Sequence, residues 1–102
     1  MKIYYYPQFK KSYQKLPPEI KRRAETREEI FQQNVFDPKL NTHKLHGKLK
    51  DFWSFSVDQK YRVLFEKIGK DVIFLDVGNH EIYQWKNKEN IVYSRYVRLR
   101  VL

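Results

Sequence analysis

The sequence predicts an α+β fold in which two N-terminal helices pack on a twisted, mainly antiparallel sheet. Three observations predict it. Apolar residues recur at helical spacing through the first third of the chain, the period switches to two at Trp53, and Val72 to Val77 is a mostly apolar run of the kind buried at the centre of a sheet.

Lys2 to Tyr6 is β-branched and aromatic and stops at Pro7, which cannot donate to a ladder, so it is expected as an initial strand. Phe9, Tyr13 and Leu16 then predict a short helix from about Gln8 to Lys15, ended by Pro17 and Pro18. Pro18 also suits the first turn of a second helix, with Glu19 beside its positive end; Ile20, Ala24, Ile30 and Phe31 form its apolar stripe as far as about Asn34. Val35 to Lys50 holds Asp37-Pro38, Asn41 and Gly47 without periodicity and is expected as a long basic connection carrying His43, Lys44, His46, Lys48 and Lys50. Trp53, Phe55 and Val57, then Tyr61, Val63 and Phe65, alternate with other residues as two strands joined by a turn near Asp58 to Lys60. Ile68-Gly69-Lys70-Asp71 supplies the next turn, and Val72 to Val77 completes a meander. Gly78 breaks that strand, leaving His80 in a loop at its end, and Glu81 to Lys86 has the composition of a helical turn. The tail fits two patterns: an edge strand through Val97, Leu99 and Val101, or a helix through Ile82, Trp85, Val92, Tyr96 and Leu99.

At 102 residues, with 41% hydrophobic and 17% aromatic residues, the chain is expected to be a single domain with one core. Twenty-one Lys and Arg against twelve Asp and Glu give a formal charge of +9, which favours polyanionic partners, nucleic acid first. A signal-like apolar run and a membrane-length span are both missing from the sequence, so a cytoplasmic location is expected. The absence of cysteine excludes disulfides and thiolate chemistry, and the histidines at 43, 46 and 80 lack the companions of a zinc motif, so no metal or cofactor is expected.

RNA can be cleaved without metal when its own 2′-hydroxyl attacks the adjacent phosphate. That requires a base, an acid for the leaving 5′-oxygen, and positive charge on the phosphorane. Histidine suits the first two tasks and the arginine fork the third, so His80 and Arg62 are the first candidates, on neighbouring strands of the expected meander. Each also has an ordinary role: His80 as a loop residue, Arg62 as half of an ion pair with Glu66 or Asp76, Lys48 and Lys50 as a solvated edge, and Tyr83 and Trp85 as core or rim aromatics.

Lys44-Leu45-His46-Gly47, Phe52 to Val57, Tyr61-Arg62-Val63-Leu64-Phe65 and Val77-Gly78-Asn79-His80-Glu81-Ile82-Tyr83, in this order and spacing, resemble the RelE/ParE toxin superfamily. The most diagnostic pieces are Tyr61 to Phe65 followed by Gly78-Asn79-His80. The likeness covers roughly residues 1 to 85, with about 84 to 102 an extension beyond it. It implies the toxin of a type II toxin–antitoxin system, partnered by a cognate antitoxin and acting as an endoribonuclease on messenger RNA, commonly in the ribosomal A site. Within the histidine-bearing branch, similar to YafQ and YoeB, it implies Arg62 as phosphate ligand, His80 as general acid and Tyr83 as the residue that orients or stacks on the base. Lys44, Lys48, Lys50, Trp53 and Lys60 would contact the RNA. Where relatives carry ionisable residues on the second strand, this chain has Ser54 and Ser56, which leaves the general base to the preceding loop, with His46 the best suited by residue type. A ParE-like inhibitor of DNA gyrase and a non-catalytic RNA- or ribosome-binding module are the alternatives.

Overall fold

Large apolar side chains at alternate positions of a strand create a face that only another apolar surface can cover. In the structure, a computed structural model that describes residues 1–84, that face consists of Phe55, Val57, Val63, Phe65, Val72, Phe74 and Val77. Helix α1 (Pro7–Gln14) covers it with Phe9, and helix α2 (Pro18–Gln33) with Ala24 and Phe31. Phe31 is fully buried, its ring centroid 4.9 Å from Phe55, 5.0 Å from Phe65 and 5.4 Å from Phe74.

The sheet has five strands, β1 (Ile3–Tyr5), β2 (His43–Lys44), β3 (Trp53–Ser56), β4 (Arg62–Ile68) and β5 (Asp71–Gly78), in the order β1-β5-β4-β3-β2. The expected meander is present: β3, β4 and β5 pair antiparallel. The sheet is nevertheless mixed, because β1 pairs parallel with β5, from Ile3↔Val72 to Tyr5↔Phe74. β5 therefore has a neighbour on each side, and Val72 to Leu75 are all buried because both of its faces are covered, Val72 and Phe74 on the helix side and Ile73 and Leu75 on the other. Between Leu64 and Phe65 the register shifts: Leu64 lies opposite Asp76 but Phe65 opposite Phe74. This bulge lets both Phe65 and Phe74 join the helix-covered core and turns Leu75 to the other face.

On that other face a second cluster forms from Leu49, Phe52, Leu64, Ile73, Leu75 and Ile82. No α-helix covers it among the described residues; the loop before β3 and the short 3-10 helix after β5 do so instead.

Several boundaries differ from expectation for local reasons. α1 begins at Pro7 and ends at Gln14, because proline is tolerated at a first helical position, where an N–H would have no partner. The segment 35–50, expected as one connection, contains a 3-10 turn at Pro38–Leu40, the two-residue strand β2 and a second 3-10 turn at Gly47–Leu49. These elements are too short to show a period in sequence, and tertiary contacts hold them: Leu40 and Leu49 are buried, and β2 pairs with β3 through His43↔Ser54 and Lys44↔Trp53. The turn expected from Glu81 is a 3-10 helix, His80–Gln84. Trp85 and the alternatives for the tail lie outside the described residues.

Two predictions follow from the packing. Phe31→Ala should destabilise the protein by about 3–5 kcal/mol in urea unfolding, the usual cost of emptying a buried phenylalanine site. Tyr5 of β1 and Tyr13 of α1 donate to Glu28 and Glu25 of α2. Burial and then this hydrogen bonding push the Tyr13 hydroxyl up from 10.0 to about 12, and Tyr5 in the same direction. The protonated phenols are favoured by folding, so their contribution is complete below pH 10 and lost as pH rises through about 12. Unfolding midpoints should fall across that alkaline window, and less steeply in a Tyr5→Phe/Tyr13→Phe variant.

Candidate nucleic-acid interface

The segment after β5 begins with a constraint at Gly78, where a Cβ would meet the Ile82 side chain at 3.0 Å. Asn79 then starts the turn: its carbonyl accepts from the Ile82 N–H at 3.1 Å, and its side-chain oxygen from the Glu81 N–H at 2.9 Å. The 3-10 helix that follows buries Ile82 against the second cluster and sets Tyr83 over β3. There the Tyr83 hydroxyl lies 3.2 Å from Ser54 Oγ, and Ser54 is fully buried.

The basic loop reaches the same place from the other direction. Gly47, with φ of 68°, occupies the left-handed region that glycine adopts readily, and Leu45 N–H bonds to the Phe52 carbonyl at 3.0 Å. The result is a pocket of about 480 Å³ lined by His43, Lys44, Leu45, His46, Lys48, Leu49 and Tyr83. Its aromatic and apolar lining, bordered by cationic and titratable side chains, suits a planar base attached to a phosphate.

Arg62 lies elsewhere. It occupies the rung Ser56↔Arg62↔Gly78. One guanidinium nitrogen donates to the carbonyls of Asp58 and Tyr61, so the side chain bends over the β3–β4 turn. It lines a second groove with Glu19, Ile20, Arg23, Arg27, Lys39, Ser56, Asp58 and Gln59. The ion pairs considered for it with Glu66 or Asp76 are not formed.

The sequence-derived residues thus divide. Tyr83, His46, Lys44 and Lys48 share one pocket, whereas Arg62 belongs to the other groove. His80 is exposed at the start of its 3-10 helix, two residues past the Gly78 that pairs with Arg62, and lines neither. Lys50 is exposed beside the Gly47–Leu49 turn, and Lys60 sits in the β3–β4 turn with its N–H bonded to Asp58. Trp53 is on the helix-covered side, 5.8 Å from Phe36 between ring centroids, with Lys67 Nζ 4.2 Å over its ring. Sequence reasoning missed His43 as a pocket residue and Arg23, Arg27 and Lys39 as neighbours of Arg62. The helical spacing of Arg23 and Arg27 was the available signal for a shared face. Among the described residues no group of three His, Cys, Asp or Glu side chains is placed to hold a metal ion.

Known proteins can be set beside this geometry. The sequence profile of the ParE-like toxin domain matches residues 18–85. No curated protein matches. Solved structures with the same fold include a YoeB/ParE toxin from Agrobacterium tumefaciens, at TM-score 0.68 and 14% identity, covering 78% of this chain and 99% of that one. The E. coli DinJ–YafQ toxin–antitoxin complex contains a chain that superposes with TM-score 0.63 and 18% identity, covering 76% and 90%. The archaeal RelE–RelB complex from Pyrococcus horikoshii OT3 gives TM-score 0.63 and 23% identity, covering 76% and 92%.

The Tyr83 contact is testable without substrate. Tyr83→Phe should lower stability by about 0.5–1.5 kcal/mol, the net value of one hydrogen bond, and Ser54→Ala/Tyr83→Phe should cost less than the sum of the single changes. Strict additivity in urea unfolding would show that the two hydroxyls are not coupled.

Proposed function

Because the chain belongs to the RelE/ParE toxin superfamily, we propose that it is the toxin of a type II toxin–antitoxin pair and a metal-independent endoribonuclease that cleaves messenger RNA on the ribosome, in the cytoplasm. The observation that carries this reading is the pocket in which His46 and Tyr83 meet, bordered by Lys44 and Lys48. It supplies a base-stacking surface, phosphate-binding charge and a titratable imidazole in one place, and so offers a general base where Ser54 and Ser56 offer none.

In the proposed reaction His46 takes the proton from the 2′-hydroxyl, whose oxygen attacks the adjacent phosphorus. Lys44 and Lys48 of the pocket hold the negative charge of the phosphorane, the task the resemblance implies for Arg62, whose side chain lies in the other groove. The bond to the 5′-oxygen then breaks and His80 protonates that oxygen, leaving a 2′,3′-cyclic phosphate and a free 5′-hydroxyl. Tyr83 stacks on the base beside the scissile bond. Lys50, Lys60 and Trp53 are assigned to RNA outside this pocket, Trp53 on the far side of β3.

A cognate antitoxin is proposed on the same footing. The YafQ and RelE relatives are each seen in complex with a second protein, and a charge of +9 favours an acidic or amphipathic neutralising segment.

A second reading, inhibition of DNA gyrase through protein contact, is favoured by Ser54, which is buried under Tyr83 on the strand where an ionisable catalytic group is expected. Induced expression followed by mapping of RNA 5′ ends separates the two. Wild-type protein should yield new 5′-hydroxyl ends in messenger RNA. His46→Ala and His80→Ala should each reduce them by at least about 10²-fold. Unchanged cleavage in either variant removes that residue's role, and gyrase-dependent DNA breaks with intact messenger RNA establish the second reading.

A further inference from the structure

The groove that holds Arg62 contains four cationic side chains, Arg23, Arg27, Lys39 and Arg62, and two acidic ones, Glu19 and Asp58, in a volume of about 680 Å³. The acids do little to neutralise the cations. Asp58 turns its carboxylate into its own turn, accepting the N–H groups of Lys60 at 2.8 Å and Tyr61 at 2.7 Å. Glu19 is 3.8 Å from Arg23, and both side chains are more than half exposed, which makes that pair weak.

Arg27 and Arg62 are held in another way. One nitrogen of Arg27 donates to the Lys39 carbonyl at 2.6 Å, and one of Arg62 to the Asp58 and Tyr61 carbonyls. Carbonyl acceptors restrict a guanidinium without cancelling its charge, and its other N–H groups remain for a ligand. No carboxylate pairs with either arginine among the described residues. Two preorganised, uncompensated guanidinium groups, with Arg23 one helical turn from Arg27, form a site for more than one anionic group.

We infer that this groove, formed by α2, the loop at Lys39 and the β3–β4 turn, is a second RNA-binding site that holds backbone phosphates flanking the cleavage pocket. The inference rests on the ribonuclease reading for its choice of RNA as the polyanion. Its lining favours a phosphate backbone over a protein segment, because Ile20 is the one aliphatic side chain among the nine lining residues and a docked peptide needs apolar anchors. Arg62 stands at the junction: its guanidinium lines the groove while its backbone pairs with Gly78, the residue from which the 3-10 helix bearing His80 and Tyr83 departs. A strand bound in the groove would therefore lead toward the cleavage pocket, and sites would be chosen partly by the path of the flanking backbone.

The test measures binding of a single-stranded 2′-O-methyl RNA oligonucleotide, which lacks the attacking hydroxyl, by fluorescence anisotropy over a range of KCl concentrations. For wild type and Arg23→Gln/Arg27→Gln the slopes of log K against log salt are compared. Glutamine at 27 retains a donor for the Lys39 carbonyl, and circular dichroism checks the fold. Loss of two phosphate contacts should make the slope shallower by about 1.4, and Arg23→Gln alone by about 0.7, a change that does not depend on the Lys39 contact. Slopes equal to wild type would overturn the inference, as would unchanged RNA binding with loss of binding to a polyglutamate peptide, which would mark a protein-docking surface. The oligonucleotide cannot be cleaved by 2′-hydroxyl attack, so the two ideas fail separately. A changed slope with intact messenger RNA in cells would remove the ribonuclease reading and leave the groove; an unchanged slope with new RNA ends would do the reverse.

Discussion

Phe31 is the interaction on which the architecture depends. A single ring from α2 contacts Phe55, Phe65 and Phe74, one from each of the three meander strands. Buried aromatic rings contribute both area and orientation, since tilted and edge-on pairs are preferred over a face-to-face sandwich. Here one tilted and two edge-on contacts hold the helix over the middle of the sheet. Phe74 could not share this contact with Phe65 without the bulge in the β4–β5 pairing. Packing on one face thus sets the register that positions Arg62 opposite Gly78 at the far end of the same ladder.

The other face of the sheet turns that register into a candidate site. With α1 and α2 engaged on one side, the other is closed, among the described residues, by shorter pieces, and these carry the polar groups of interest. Burial of Leu49 brings the loop with His46 and Lys48 to the sheet, and burial of Ile82 brings Tyr83. Gly78 permits the second approach because the Ile82 side chain lies where a Cβ would project. The pocket is therefore a consequence of hydrophobic closure: apolar anchors alternate along the chain with the residues they place, Leu49 beside Lys48 and Ile82 beside Tyr83.

Electrostatics divides along the same lines. The pocket at Tyr83 combines titratable side chains with an aromatic ring and suits a reacting phosphodiester. The groove at Arg62 combines permanent charges held on carbonyls and suits the passive grip of a strand. A net charge of +9 gives both a favourable long-range field, but local anchoring separates a binding site from a solvated basic surface.

The class of fold, the two helices, the meander and the central position of Val72 to Val77 were determined by the sequence alone, because period and proline placement are local properties of a chain. His46 and Tyr83 could be named from residue type and resemblance, 37 positions apart in sequence, yet their shared pocket depends on β2 and two 3-10 turns held by tertiary contacts. Arg62 was legible as a cation on a strand, but its bend toward α2 was not, since that follows from carbonyl acceptors supplied by a turn. Arg23 and Arg27 show in sequence only a shared helical spacing. Only the tertiary structure, by bringing Lys39 and the β3–β4 turn beside them, gave those charges a common groove, because a charged residue's function is set by which other charges and acceptors the fold brings within reach.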